Sequence, residues 1–287
     1  MASVTLRAFA KVNLSLRIKG RRPDGFHEVQ TILQAIDLFD RVTCQTRRGP
    51  FEIRCTTRGV PTDRTNLVWS AAEQLWSAAG REGEPRDAVV VLEKHIPMQA
   101  GLGGGSSDAA AALLGLRRLW KLRVADEDLS AIASRIGSDV PYFLVGGTAL
   151  GLGRGEEVYP LEDLPRHWVV LVLPPFGVAT KDAYAWLDAI GKRIRDPFSE
   201  KGSRILFGLP GLLTNDLEAP VVERHPVIGQ LRDRLRAEGA LLAAMSGSGS
   251  TVFGVFTAER VARAAVRKLR KSGADAQCVR FRPRRRA

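Results

Sequence analysis

Over residues 4–18 every even position is apolar and every odd position except Phe9 is polar. This period of two predicts a strand with one buried face, and it gathers Lys11, Asn13 and Ser15 on the other. Fifteen residues exceed the usual strand length, so a bend or frayed ends is expected inside the run. The segment RRPDGFHEV then supplies Pro23, Asp24 and Gly25 as turn residues. Two short β-like runs follow at 41–46 and 51–56, making the opening of the chain mostly sheet.

A helix is expected from near Thr65, where Leu67, Val68, Ala71, Ala72, Leu75 and Trp76 recur at helical spacing until Gly80 stops them. The strand AVVVLEKHI comes next. It is followed by PMQAGLGGGSSD and an alanine-rich and leucine-rich helix over 109–119. A third helix opens at Asp126 and closes at Gly137, leading through SDVPYF to a glycine-punctuated β-rich stretch ending near Val158. Beyond Pro160 the pattern changes, which divides the chain into lobes 1–159 and 160–287. The second lobe reads as the strand HWVVLVL, a helix from Thr180, a polar segment over 192–204, a helix after Pro226, a short apolar run to MSGSGST, the strand VFGVF, a helix from Ala258 and a final β-like run. Strands alternating with helices in both halves predict an α+β protein with mixed or antiparallel sheets.

Composition changes this picture little. A chain of 287 residues with 45% apolar and 26% charged residues is large enough for a substantial core in two lobes. Its first residues carry Arg7, Lys11, Arg17 and Lys19 and lack the unbroken apolar run of a signal peptide. No segment approaches the ~20 apolar residues of a membrane span. Three cysteines, Cys44, Cys55 and Cys278, have neither disulfide-framework nor zinc spacing, and a cytoplasmic location is the simplest expectation.

Charge matters more. With 43 Lys and Arg against 31 Asp and Glu, the formal net charge is +12, which favours anionic partners. The tail containing Arg280, Arg282, Arg284, Arg285 and Arg286 resembles a nucleic-acid-binding arm, but aromatic interleaving is limited to Phe281. The alternative is a solvated, disordered basic end.

The most informative residues are PMQAGLGGGSSD. Glycines at 101, 103, 104 and 105 stand between a strand and a helix, where backbone N–H groups can converge on an anion without obstruction by Cβ. The helix start adds its own free N–H groups, Ser106 and Ser107 add hydroxyls, and Asp108 is placed to cap. A di- or triphosphate fits, although neither a Walker A loop nor GxGxxG is present; a plain glycine-rich turn with an N-cap is the competing interpretation. Phosphoryl transfer also needs a cation near the migrating group and a carboxylate beside the accepting hydroxyl. Lys11 and Asp139 are the candidates, though taken singly Lys11 reads as a surface lysine and Asp139 as a turn residue. His27 follows Phe26 in a turn, where the pair is either solvated or able to grip a base. No GxSxG, HExxH, HRD or DFG signature supports hydrolase, protease or protein-kinase chemistry.

With these residues assembled, the chain resembles the GHMP kinase superfamily over nearly its whole length, through AKVNLSLRI, RRPDGFHEVQTI, DRTNLVWSAA, IPMQAGLGGGSSDAAA, IGSDVPYF, TKDAYAWLD, TNDLE and MSGSGST. The resemblance implies an ATP-dependent small-molecule kinase whose N-terminal lobe is like ribosomal protein S5 domain 2 and whose C-terminal lobe is ferredoxin-like. It further implies Lys11 and Asp139 as catalytic residues. ATP would be held by Asn66, Leu67, Lys94, Pro97, Met98, Gly101, Leu102, Gly103, Gly104, Gly105, Ser106 and Ser107, with Mg²⁺ accompanying it. The acceptor would be a small molecule carrying a cytidine diphosphate group, held by Asn13, Phe26, His27, Asp139, Thr180 and the second glycine loop Gly247, Ser248 and Gly249. Phe26 would stack on the base and His27 bond its polar edge. A different acceptor (mevalonate, homoserine or a sugar) is the alternative within the superfamily, and nucleic-acid binding the alternative outside it. The chain departs from the family pattern at Phe26, where tyrosine is usual, at Thr214, where phenylalanine is usual, and at Ser250, where proline is usual. Metal ligands and the choice between monomer and homodimer stay open.

Overall fold

In the computed structural model, residues 2–190 and 214–284 are described. Strand β1 (Ser3–Arg21) and strand β2 (His27–Pro50) form a long antiparallel hairpin closed by the turn at 22–26, where Gly25 has φ 86°. The first half of β2 pairs with β5 (Thr148–Leu152) and the second half with β4 (Arg86–Glu93). The sheet is completed by β3 (Glu52–Cys55), parallel to β4, and β6 (Glu157–Pro160), antiparallel to β5, so it is mixed. The run at 41–46 is therefore the far half of one continuous strand. Residues 27–40 show little alternation because β2 is covered on both sides through most of them.

The strict alternation of β1 conceals a bulge. Leu6 and Ala8 pack with the helical layer of α1 (Leu67–Ala78), α2 (Gly104–Leu119) and α3 (Asp126–Ile136), whereas Ala10, Val12 and Leu14 pack with the second sheet. The register slips between Phe9 and Lys11, and a slip of one residue exchanges the two faces of a strand. Lys11 and Asn13 consequently fall on the helical side, at the start of α2. The expected bend is thus a set of register irregularities, with others at Asn13/Ser15 and Ile18/Gly20. The expectation of a single buried face is corrected: Lys11, Asn13, Ser15 and Arg17 are buried as well.

Helix α2 lies flat on the sheet because Gly115 has no side chain; a Cβ there would stand 2.6 Å from Cys44 Sγ. The helix begins at Gly104, five residues earlier than alanine and leucine content predicts. Asp108 is therefore inside it, and the N-cap position belongs to Gly103.

The second sheet holds β7 (Trp168–Leu173), β8 (Leu242–Met245), β9 (Val252–Phe256) and β10 (Asp275–Arg280), all antiparallel, in the order β10-β7-β9-β8. A short α4 (Val140–Val145) precedes β5. Helices α5 (Thr180–Ile190), α6 (Glu218–Arg224) and α7 (Val227–Ala237) lie between β7 and β8, and α8 (Glu259–Lys271) joins β9 to β10. This is the ferredoxin-like arrangement, with helices on one face. The other face, Val169, Leu171, Phe253 and Val255, packs on β1 and β2. Central strands buried on both sides explain the unbroken apolar runs WVVLVL and VFGVF. The polar segment at 192–204 lies outside the described residues.

The C-terminal tail is not a solvated end as far as Arg284. Phe281 is buried in an antiparallel bridge to Ile36, and Arg282 N donates to Ala35 O at 2.8 Å. Arg284 donates through its guanidinium to the carbonyls of Thr148 and Leu161, and through its backbone N–H to Asp163. These arginines are part of the fold. Among the described residues no helix is long and apolar enough to cross a membrane.

Candidate active site

A cleft of about 1000 Å³ opens between the start of α2, the β1–β2 hairpin, α5 and the loop between β8 and β9. Every residue assigned from sequence to catalysis, ATP or the acceptor lines it except Ser107 and Gly249. Ser107 is buried and its hydroxyl donates to Phe9 O at 2.7 Å, so that hydroxyl serves the fold. Gly249 faces Met245, whose Sδ would be 2.7 Å from an added Cβ.

Lys11 reaches the cleft from the bulged part of β1, and its ammonium donates to Asn13 Oδ1 and lies 3.5 Å from Asp139 Oδ2. Asp139 stands at the N-cap position of α4 but makes no side-chain cap hydrogen bond. Its carboxylate is 35% exposed, against 4% for the lysine side chain. Asn13 is fixed in turn by donating to Thr31 Oγ1 at 2.8 Å, and that hydroxyl donates to Ser15 O.

Two glycine loops meet at this lysine. Gly101 and Gly103 have φ of 73° and 72°, the left-handed region that glycine enters without strain. A Cβ on Gly103 would lie 3.2 Å from Lys11 Cε, and one on Gly247 would lie 3.4 Å from Lys11 Nζ. The loops are tied together by Ser246, whose hydroxyl donates to Gly101 O at 2.8 Å and accepts from Asn13 N. Beyond Gly103 the first backbone N–H groups of α2 have no acceptor within the helix, so they and the helix dipole face the cleft with positive charge.

Lys94 is at the cleft but its ammonium is committed. It is buried between Asp40 and Asp108, donating to one carboxylate oxygen of each. Burial pulls Lys94 down, yet the two carboxylates outweigh it and the net shift is upward. Burial pushes the Asp108 carboxyl up to about 7, with Lys94 opposing and Asp40 adding to the rise. Asp40 also accepts the backbone N–H groups of His95 and Ile96, so it holds the entry to the glycine loop while Lys94 and Asp108 hold its exit. Asn66 caps α1 by accepting from Val68 N at 3.0 Å and donates to Pro61 O.

At the other end of the cleft, His27 is the first residue of β2, not a turn residue. Its Nε2 lies 2.8 Å from Asp188 Oδ1, and its ring stacks on Tyr184 at 4.8 Å with a 25° tilt. Phe26 is 53% exposed, with the Arg154 guanidinium 5.1 Å over its ring. Burial raises the Tyr184 hydroxyl above its ordinary value. Thr180 Oγ1 is 3.2 Å from Ser248 Oγ. Tyr184, Asp188 and Arg154 were missed from sequence. The signal available was the helical spacing of Thr180, Tyr184 and Asp188, which sets all three on one face of α5. Arg154 carries no comparable local signal.

Comparison with known proteins fits this geometry. Residues 66–147 match the GHMP kinases N terminal domain, and residues 201–275 match the GHMP kinases C terminal domain. A 4-diphosphocytidyl-2-C-methyl-D-erythritol kinase of Geobacter metallireducens is 40% identical over 95% of this chain and 96% of its own length. The protein of the same name from Synechococcus sp. is 43% identical over 92% and 89%. Among solved structures, a 4-(cytidine 5'-diphospho)-2C-methyl-D-erythritol kinase superposes with a TM-score of 0.78 at 34% identity, covering 97% of this chain and 99% of that one. A homoserine kinase from Cytophaga hutchinsonii, at 19% identity and a TM-score of 0.74, shares the fold.

Proposed function

The chain belongs to the GHMP kinase family and is a small-molecule kinase, and from that premise we propose that it transfers the γ-phosphoryl group of ATP to the 2-hydroxyl of 4-diphosphocytidyl-2-C-methyl-D-erythritol, a step of non-mevalonate isoprenoid precursor synthesis. The observation that carries this reading is the meeting of Lys11 and Asp139 at 3.5 Å beside the start of α2.

The roles follow from the chemistry of each group. The glycine loop and the free N–H groups of α2 receive the ATP phosphates. Asp139 orients the acceptor hydroxyl and takes its proton as the hydroxyl oxygen bonds to the γ-phosphorus. The bond from that phosphorus to the β,γ-bridging oxygen breaks, and ADP leaves. An ammonium has three donors. Lys11 directs one to Asn13 and one towards Asp139, which leaves the third for charge on the moving phosphoryl group. Phe26 and His27 hold the cytosine, and Thr180 with Ser248 lies near the diphosphate.

Among the described residues no group of three or more Asp, Glu, His or Cys could cage a metal ion. Magnesium, which takes few protein ligands and keeps much of its water, would therefore be held chiefly by the ATP phosphates, with the Ser106 hydroxyl within the same part of the cleft. It would neutralise phosphate charge there. We place the reaction in the cytoplasm and take residues 1–159 as the ATP-binding lobe.

ATP consumption with cytidine-diphosphate methylerythritol, set against mevalonate, homoserine and galactose, tests the proposal. Turnover confined to the first acceptor is expected. Preference for any of the others would overturn it.

A further inference from the structure

The acceptor end of the cleft contains a carboxylate for which the proposed chemistry has no use. Asp188 lies on α5, two helical turns beyond Thr180, and its Oδ1 is 2.8 Å from His27 Nε2. Eight residues of helix span about 12 Å. This separation places Thr180 by Ser248 and the second glycine loop, and Asp188 by the hairpin, with Tyr184 between them. A ribose and a diphosphate bridge a gap of that size, so α5 runs alongside the whole of such a ligand.

We infer that Asp188 is a positioning residue that makes the cleft selective for cytosine over uracil by fixing the tautomer and orientation of His27. The inference rests on the proposed reading of the cleft as a cytidine-diphosphate site. A carboxylate oxygen only accepts hydrogen bonds, so when the His27 ring carries a single hydrogen the contact with Asp188 puts it on Nε2 and leaves Nδ1 with a bare lone pair. Tyr184 stacks on the ring and prevents it from turning over. A bare Nδ1 accepts from the 4-amino group of cytosine. In uracil the corresponding group is a carbonyl oxygen, which cannot donate and would be left facing another acceptor. A buried polar pair left unmatched is costly, so one ring nitrogen can discriminate strongly between the two bases.

Asp188 is 44% exposed, so its replacement leaves the core untouched. Equilibrium binding of CDP and UDP is measured for the wild type, Asp188→Ala and Asp188→Glu, alongside the ¹⁵N spectrum of the His27 ring. The wild type is expected to bind CDP at least about tenfold more tightly than UDP and to show a protonated Nε2 with a bare Nδ1. Asp188→Ala is expected to lose most of that ratio without weakening ATP binding, and Asp188→Glu to regain part of it. An unchanged CDP-to-UDP ratio in Asp188→Ala, a wild type without preference, or a hydrogen on Nδ1 in the free wild type would each overturn the inference. Turnover of the wild type with its acceptor is a separate measurement, so failure of the proposed reaction is told apart from failure of this role for Asp188.

Discussion

Asp139 Oδ2 and Lys11 Nζ stand 3.5 Å apart although one belongs to a short helix start and the other to the first strand. Neither local segment requires this. The bulge after Phe9 turns Lys11 toward α2, and the uncommitted N-cap position of α4 leaves the Asp139 carboxylate turned into the cleft rather than folded onto its own helix.

Asp139→Asn preserves shape and removes the group proposed as the proton acceptor. Turnover is expected to fall by ~10²-fold or more while ATP still binds. Steady-state kinetics with nucleotide titration check both halves. Lys11→Met is expected to give a loss of similar size, and full turnover in either variant would remove that residue from the chemistry.

The glycines of the loop are not equivalent. A Cβ on Gly101 would lie 2.0 Å from Ser246 O at a φ of 73°, whereas the nearest atom to a Cβ on Gly105 is Leu67 Cδ1 at 4.0 Å. Gly101→Ala is expected to destabilise the protein by at least ~1–3 kcal/mol from backbone strain alone, with the clash added. Gly105→Ala, inside a helix, is expected to be neutral or to stabilise by about 0.5–1 kcal/mol. Denaturant unfolding of the pair separates them, and equal stabilities would contradict the geometry.

Asp108 gives the fold a definite pH dependence. Its folded carboxyl is raised to about 7 from an ordinary 3.8, so between those values the folded chain holds a proton that the unfolded chain has lost. Its contribution to stability is therefore full below about pH 4 and declines as pH rises through 7. Asp108→Asn removes this slope, and the variant is expected to gain on the wild type from pH 4 to pH 7. Unfolding measured at both ends of the window checks the sign.

Phe281 is buried against the first sheet, and its truncation is expected to cost about 3–5 kcal/mol. Phe281→Ala examined by thermal denaturation tests whether the tail is part of the core. A variant as stable as the wild type would return the basic end to the solvent.

Much of this molecule is written locally. Period-two alternation marked β1, apolar runs marked β7 and β9, and the clustered glycines marked the left-handed turn that leads into α2 at the cleft. The unreadable parts share a cause, since each is decided by contacts between distant segments. The burial of Lys11 and Asn13 depends on a bulge that alternation cannot reveal. The early start of α2 runs against the weak helix propensity of Gly104 and Gly105, and is supported by packing on β1 and by Asp108 bonding Lys94. Helix α6 is short and contains Pro220, which hid it. The pairing of His27 with Asp188 exists only once α5 lies beside the hairpin.

The two halves of the polypeptide are laced through one another at their extremes. Leu16 and Ile18 of the first strand sit in the core built by the C-terminal helices, Leu16 bridges to Asn215, and Phe281 returns to Ile36. Severed near residue 160, the amino-terminal piece would present Ala10, Val12 and Leu14 to water, and its counterpart would present Val169, Leu171 and Phe253. Such fragments have every physical reason to aggregate when made separately and to recombine when made together, so a fission of the gene at that seam survives only where both products are synthesised in the same place.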